Sequence, residues 1–460
     1  MKPGGVLLRD PRVAMVELAA ASYEVSPGRE TALPRAVAGL GDLLGWSAPG
    51  TGAFGRLLPP GARVVVKPNW VMHRNHGPWG IEPLVTHAAV VRAAVEEVLR
   101  ANPAQVVVGD APLQACDFGE LLRATGIDSW AQELQAADAR FAGIRDFRRT
   151  TCEIRDGVRL AKEDQRPRED FVLFDLGAES LLEAVTDDRG TFRVTQYDPT
   201  QLVVTHGAGR HQYLVARDII EADVILNLPK LKTHKKAGLT CALKNLIGIN
   251  GNKEYLPHHR LGGSATGGDC YPGGSRLKQA LEYAFDRQNL ATSHAARRAW
   301  SQATRLLDRL VRASGDVHGV EGSWSGNDTL WRTCLDLNRI LLYGRSDGTL
   351  ADNPQRTVIH VVDAILAGQG DGPLAPQPLP LRRLFAGTSA AAVDWVAAQL
   401  LGYEPQRIPI VREAFGEFRW PIAGFAPAEV TLVGERTICA PITPVIYPVG
   451  WRDAAAAVPR

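Results

Sequence analysis

Residues 62–70 read ARVVVKPNW, residues 85–102 read VTHAAVVRAAVEEVLRAN, and residues 105–112 read QVVVGDAP. The first and third are short valine runs that stop abruptly at polar or proline-containing tips. Continuous β-branched runs of this kind suit strands covered on both faces. The stretch between them carries helical spacing, and Thr86 is its expected N-cap. Strand, helix and strand at this separation predict a right-handed βαβ unit.

Two further runs obey the same rule. Ala222–Leu226 leads into Asn227, Leu228, Pro229 and Lys230, and Thr357–Val362 leads into Asp363 and the glycine-rich GQGDGP at 368–373. The expected fold class is therefore α/β, with a mostly parallel central sheet flanked by helices. In open sheets of this type ligands collect at the carboxyl ends of the strands. Each expected strand carries polar residues there: Lys67 and Asn69, Asp110, Asn227 and Lys230, then Asp363. Any one of these suits a turn. All four together predict a shared cleft.

The rest of the chain divides around this core. Residues 1–149 form its N-terminal part. Residues 150–215 are charged, hold the turns DDRG and YDPT, and contain alternating pieces at 192–196 (FRVTQ) and 201–205 (QLVVT), so they read as an antiparallel β insertion. Residues 216–261 hold a core strand and a lysine- and histidine-rich segment. Residues 262–345 begin with GGSATGGDCYPGG and turn helical at 276–287, 293–314 and 331–343, a helical insertion. Residues 346–460 complete the core, with a helix over 390–401 closed by Gly402.

Cation usage singles out one segment. Only ten of the 52 Lys and Arg residues are lysines, and six of those ten lie at 230, 232, 235, 236, 244 and 253. Arginine stays charged and forks its hydrogen bonds, whereas lysine is a compact charge whose pKa moves on burial. A chain that otherwise writes positive charge as arginine places ammonium groups here, among His234, Asn245, Asn250 and Asn252. A bare charge run is commonly a solvated face. Apolar and small residues interleave this one, which predicts a site. Thr240 is the expected N-cap of a helix beginning at Cys241, whose free amides would attract an anion.

Bulk properties narrow the function class. A net charge of +2 argues against global steering toward nucleic acid. Six scattered cysteines without a CxxC pair suit reduced thiols rather than a disulfide framework, and no iron–sulfur cluster is expected. The N-terminus lacks the apolar core of a secretory signal and no run reaches the length of a membrane span, so a cytoplasmic enzyme is the expectation. GxxxxGK[ST] is absent. A divalent metal is a candidate cofactor, with Asp110, Asp371 and His259 as its ligands. His258 and His259 point to opposite faces if extended, so one of them at most enters a site.

KPNWV at 67–71, VVVGDAP, ADVILNLPKLKTH, LTCALKNLIG and VVDAILAGQGDGPLAP together resemble the domain of unknown function 362 family. The resemblance covers most of 60–125, 215–260 and 355–405. The longer form GINGNKEYLPHHRLGG resembles a subgroup found in bacterial polysaccharide and other secondary biosynthetic clusters. The resemblance implies that Lys67, Asn69, Asp110, Asn227, Lys230, Lys232, His234, Thr240, Lys244, Asn245, Asp371 and Asp394 belong to the site or its scaffold. Some relatives carry ferredoxin-like cysteine repeats that this chain lacks.

The leading expectation is an enzyme that binds a small anionic or sugar-like substrate. Lys230 and Lys232 would clamp a carboxylate or phosphate, and His234 or Lys244 would move a proton. Lys67, Asn69, Asn227, Thr240, Asn245, Gly370 and Gly372 would contact the substrate. Elimination, isomerisation and hydrolysis all fit. Two alternatives remain open: a redox protein with a bound flavin or metal cluster, and a non-catalytic protein that binds an anionic polymer.

Overall fold

Alternate residues of each valine run enter different cores. Val64 and Val66, Val106 and Val108, and Val224 and Leu226 pack with the helix between the first two strands. Val65, Val107 and Ile225 pack on the opposite side with residues of 171–225 and the helix at 330–343. Both faces of these strands are thus covered, which is why they read as unbroken apolar runs. Each fully buried valine contributes about 1.5–3 kcal/mol of apolar burial.

The structure, a computed structural model, describes residues 8–21, 23, 32–155, 158–194, 197–434 and 444–455. The described strands of the main sheet are β1 (Arg12–Glu17), β2 (Arg63–Pro68), β3 (Gln105–Asp110), β4 (Phe141–Asp146), β5 (Val224–Leu228), β6 (Lys230–His234), β7 (Gly238–Thr240), β8 (Thr357–Asp371), β9 (Ala375–Gly387) and β10 (Thr431–Gly434). Their order is β10-β1-β9-β8-β5-β2-β3-β4, with β6 on β8 and β7 on β6. The stretch β8-β5-β2-β3-β4 is parallel throughout. Its carboxyl tips therefore lie along one edge. β6 continues from β5 and pairs with the far half of β8. The fold is the expected α/β class.

Four local expectations are corrected. The helix after β2, α1 (Ala88–Arg100), is capped by His87, whose Nδ1 accepts from Ala89 N at 3.1 Å. The Thr86 hydroxyl is taken instead by the sheet, accepting from Asn69 N at 2.8 Å and donating to Leu228 O at 2.6 Å. The glycine-rich segment after Asp363 is not a loop: β8 runs on to Asp371 and returns as β9 in a long hairpin. The alternating QLVVT piece is the C-terminal part of a helix, Pro199–Thr205, because Asp198 caps Thr200 N at 2.8 Å and proline opens the first turn. Thr240 closes β7 rather than capping a helix.

The 150–215 region does supply antiparallel pairs, Thr150–Arg155 with Val158–Asp164 and Phe171–Asp175 with Arg210–Ala216. Phe192–Arg193 pairs with His259–Arg260, while residues 195 and 196 of FRVTQ lie outside the described residues. The helices at 276–290, 294–313 and 330–343 appear as expected. Cys116, Cys152, Cys241, Cys270 and Cys334 are buried and form no disulfide among the described residues, and Cys439 lies outside them. No helix among the described residues is long and apolar enough to cross a membrane.

Lys230 serves this fold. Its Nζ donates to Asp363 Oδ2 at 2.7 Å, Tyr23 Oη at 2.7 Å and Leu366 O at 3.1 Å, and both members of the ion pair are buried. Removing one partner strands the other in a dry interior. Lys230→Met is expected to destabilise the protein by about 3–5 kcal/mol, read as a lower urea midpoint, and Lys230→Met with Asp363→Leu to recover part of that loss. An unchanged midpoint in Lys230→Met refutes this role.

Candidate functional site

The tips of β2, β3 and β5 are tied by one buried network. Lys67 Nζ lies 2.8 Å from Asp110 Oδ1 and donates to Asn245 Oδ1 at 3.3 Å and to Pro68 O at 3.1 Å. Asp110 also accepts from Trp70 N at 2.7 Å and Ala111 N at 2.9 Å. Asn69 Nδ2 donates to Asn245 Oδ1 at 2.9 Å, and Asn245 Nδ2 donates to Asn227 Oδ1 at 2.7 Å. Asn227 Nδ2 then reaches Ala242 O at 3.1 Å and His360 Nδ1 at 3.0 Å. Gly248 lets this network close: a Cβ there would sit 2.1 Å from Asp110 Oδ1.

Above the network lies a cavity of about 440 Å³. Five lysines line it: Lys232, Lys235, Lys236, Lys244 and Lys253. Its carboxylates are Asp110, Asp371 and Glu321. Asp110 is neutralised by Lys67, and Asp371 lies 3.4 Å from Lys235. Lys253 donates to Ala111 O at 2.9 Å, and Lys232 donates to Leu84 O. The ammonium groups of Lys236 and Lys244 have no hydrogen-bond or ion-pair partner among the described residues. Burial lowers the pKa of Lys232, Lys236 and Lys244, and brings Lys253 down to about 7.

Two histidines on the cavity wall are held in opposite tautomers. His234 Nδ1 accepts from Lys236 N at 3.0 Å and Ala237 N at 3.2 Å. Its proton therefore resides on Nε2, and the ring is a fixed donor. His258 Nδ1 lies 2.6 Å from Leu256 O, a carbonyl that only accepts. His258 carries its proton on Nδ1 and presents a lone pair at Nε2. Burial, then the neighbouring lysines, holds both rings well below the usual histidine pKa, so both are neutral at pH 7.

Of the residues singled out in the sequence, Lys232, His234, Lys244, Asn69, Thr240, Asn245, Gly372, Asp110 and Asp371 line the cavity. Lys230, Lys67, Asn227, Gly370 and His259 do not. Lys230 is consumed by Asp363, Lys67 by Asp110, and Asn227 by its own hydrogen bonds. His259 lies in the short strand paired with Arg193, and His258 takes the place on the cavity wall. The proposed metal trio does not converge: Asp110 is saturated, Asp371 is exposed beside Lys235, and His259 lies elsewhere. Among the described residues no three His, Cys, Asp or Glu side chains are placed to hold a metal ion. His234 is a donor rather than a proton shuttle, since its accepting nitrogen is occupied by two backbone amides.

The expected anion site at the helix after Thr240 is also filled from within. That helix, Ala242–Asn245, is a single turn, and Asp394 accepts from Ala242 N at 2.6 Å and Leu243 N at 3.2 Å. Burial lifts this carboxyl to about 7 against the pull of those amides. Lys235, Lys236, Lys253, His258 and Glu321 line the cavity and were left without a site role by sequence reasoning. The three lysines belonged to the lysine cluster, which was the available signal. His258 had none beyond its pairing with His259.

A curated relative, a thylakoid-associated protein of Synechocystis sp., is 21% identical over 359 residues, covering 78% of this chain and 68% of its own. Among solved structures, the lactate racemase apoprotein from Thermoanaerobacterium thermosaccharolyticum aligns with a TM-score of 0.34 and 12% identity, over 85% of this chain and 56% of that one. A Thermotoga maritima protein aligns with a TM-score of 0.31 and 11% identity, over 80% and 58%. The chain thus spans just over half the length of these two solved chains. The model of the domain of unknown function DUF362 matches residues 64–164 and 175–399, and the chain belongs to that family.

Proposed function

We propose that this chain is an enzyme that binds a small, multiply charged anion in the lysine-lined cavity and moves a proton on it. The observation that carries this reading is the buried ammonium group of Lys244, without a hydrogen-bond or ion-pair partner among the described residues, inside a cavity of ligand size beside the half-buried Lys236. A buried charge without a partner is costly. A bound anion supplies the partner. His258 Nε2 is the proton acceptor, joined by Lys253 once neutral. The Nε2–H of His234 and the lysines stabilise negative charge that develops on the substrate. Elimination, isomerisation and hydrolysis all fit such a set.

A divalent cation is disfavoured by the donor set, because five lysines repel it unless it arrives with an anionic ligand. An anionic polymer would need an exposed cationic track, whereas Lys232, Lys244 and Lys253 are buried. The redox alternative draws no support from a particular side chain of the cavity.

Sulfate is a suitable probe because it stays a dianion across the working pH range. Lys244→Met is expected to weaken sulfate binding at least tenfold by isothermal titration, about the 1.5–3 kcal/mol of one hydrogen bond to a charged group. Its melting temperature should be unchanged or higher, since an unpaired buried cation is removed. Equal sulfate affinity in the variant and the parent would falsify the clamp.

Proton linkage gives a second test. The folded-state pKa of Lys253, about 7, lies below the ordinary lysine value of about 10.4. Its burial penalty is fully present below about pH 7 and is relieved as pH rises toward the ordinary value. An anion bound beside it raises that pKa, so binding above pH 7 takes up a proton and affinity falls as pH climbs from 7 to 9. Titrations at pH 8 in buffers of different ionisation enthalpy should report this uptake, and Lys253→Met should lose its share. Uptake of the same size in Lys253→Met counts against the assignment.

A further inference from the structure

The cavity has two chemically different sides, and the strand order explains why. β6 pairs with β8 on one side of β5, while β2 and β3 lie on the other. The β6 side, with the turn and helix that follow it, supplies Lys232, His234, Lys236 and Lys244. The β2 and β3 tips supply Val71 and Leu113, whose loops are joined by Leu113 N donating to Val71 O at 3.1 Å. The adjoining insertion adds Val194 and Tyr197, and Leu256 packs in the same core as these two. The lining thus joins a lysine- and histidine-rich part from β6 and its continuation to a mainly apolar part at the β2 and β3 tips, where Lys253 is the added cation, bonded to Ala111 O at 2.9 Å.

We propose that the substrate is an amphiphilic anion, with a phosphate or carboxylate head on the lysine wall and an apolar body, aromatic or branched aliphatic, against Val71, Leu113, Val194 and Leu256. This inference rests on the anion-binding reading of the same cavity and adds the substrate class. Volume argues for it. About 440 Å³ matches the liquid share of roughly fifteen waters at ~30 Å³ each. A free oxyanion of four or five heavy atoms leaves most of that space to water against an apolar wall. A body that displaces this water gains about 25 cal/mol per Å² of apolar surface covered.

The test compares inorganic phosphate with 1-naphthyl phosphate, and acetate with 1-naphthoate, by titration calorimetry of the full chain at pH 8. Each pair keeps the type of head and adds the body. The aryl member of at least one pair should bind tenfold or more tighter than its bare head, and the pair that responds identifies the head. Leu113→Asn should erase the aryl advantage while leaving affinity for the bare head unchanged. Val71→Thr, which keeps shape and fold, should reduce the advantage in the same direction. Lys244→Met should weaken the bare and aryl members alike. Bare anions that bind as tightly as their aryl partners overturn the amphiphile and leave the anion site standing. An aryl advantage that survives intact in folded Leu113→Asn and Val71→Thr also overturns it. No binding of any probe removes both readings.

Discussion

The ion pair between Lys67 and Asp110 is the constraint on which the site depends. Both side chains stand at the tips of adjacent parallel strands and both are buried. A charge in that position survives only when its partner and the remaining hydrogen bonds are all supplied. Here they are: three acceptors surround the ammonium, and two backbone amides from the tip loops hold the carboxylate. The pair therefore fixes where the loop after β2 and the loop after β3 leave the sheet. Asn69, Asn245 and Asn227 extend the same network to β5 and the single-turn helix. The result is a polar floor in which Lys67 and Asp110 are fully engaged and Asn69 Oδ1 is left without a hydrogen-bond partner among the described residues, beneath a lysine-lined cavity.

That division of labour explains why lysine and not arginine dominates the segment. Lys67 and Lys230 are consumed by single carboxylates in dry surroundings, where a compact ammonium fits a small space. Burial brings Lys253 down to about 7, a shift that a guanidinium does not undergo. On the proposed function, the unpaired ammonium of Lys244 would make an arriving anion favourable. Five arginines in the same cavity would pair with backbone carbonyls and neighbours through their forks, and would fill much of its volume.

The sheet was legible in the sequence because two covered faces demand unbroken apolar runs, and the valine triplets state this without ambiguity. The convergence of the tips carrying Lys67 and Asn69, Asp110 and Asn227 was legible for the same reason, whereas Asp363 lies within β8 and pairs with Lys230 away from the cavity lining. What sequence periodicity could not supply was the depth of each residue along its strand. Lys230, Lys232 and His234 share a face by simple alternation, yet Lys230 pairs opposite Asp363 and Lys232 opposite Gly368. The register shift between them leaves one lysine in the core and the next at the cavity. Thr240 looked like a helix cap because a short polar residue precedes a helical stretch. The cap came from Asp394, about 150 residues away in sequence, and no local pattern reports such a partner. His258 and His259 alternate as expected, but which of two adjacent residues faces inward depends on the pairing of Arg193 with His259.

The two cavity histidines carry the chemical logic furthest. Backbone groups choose their tautomers: amides hold one nitrogen of His234, and a carbonyl holds one proton of His258. Neither choice relies on a carboxylate, so neither ring gains the negative neighbour that would raise its pKa. Surrounding lysines push both further toward neutrality. An anion entering the cavity changes this balance, because it screens the lysines and favours positive charge nearby. Under the proposed function His258 would then become a stronger base with substrate present, while His234 would keep its donor role because its other nitrogen is already occupied. On the proposed function, the ligand's own charge would prepare the acceptor that takes its proton.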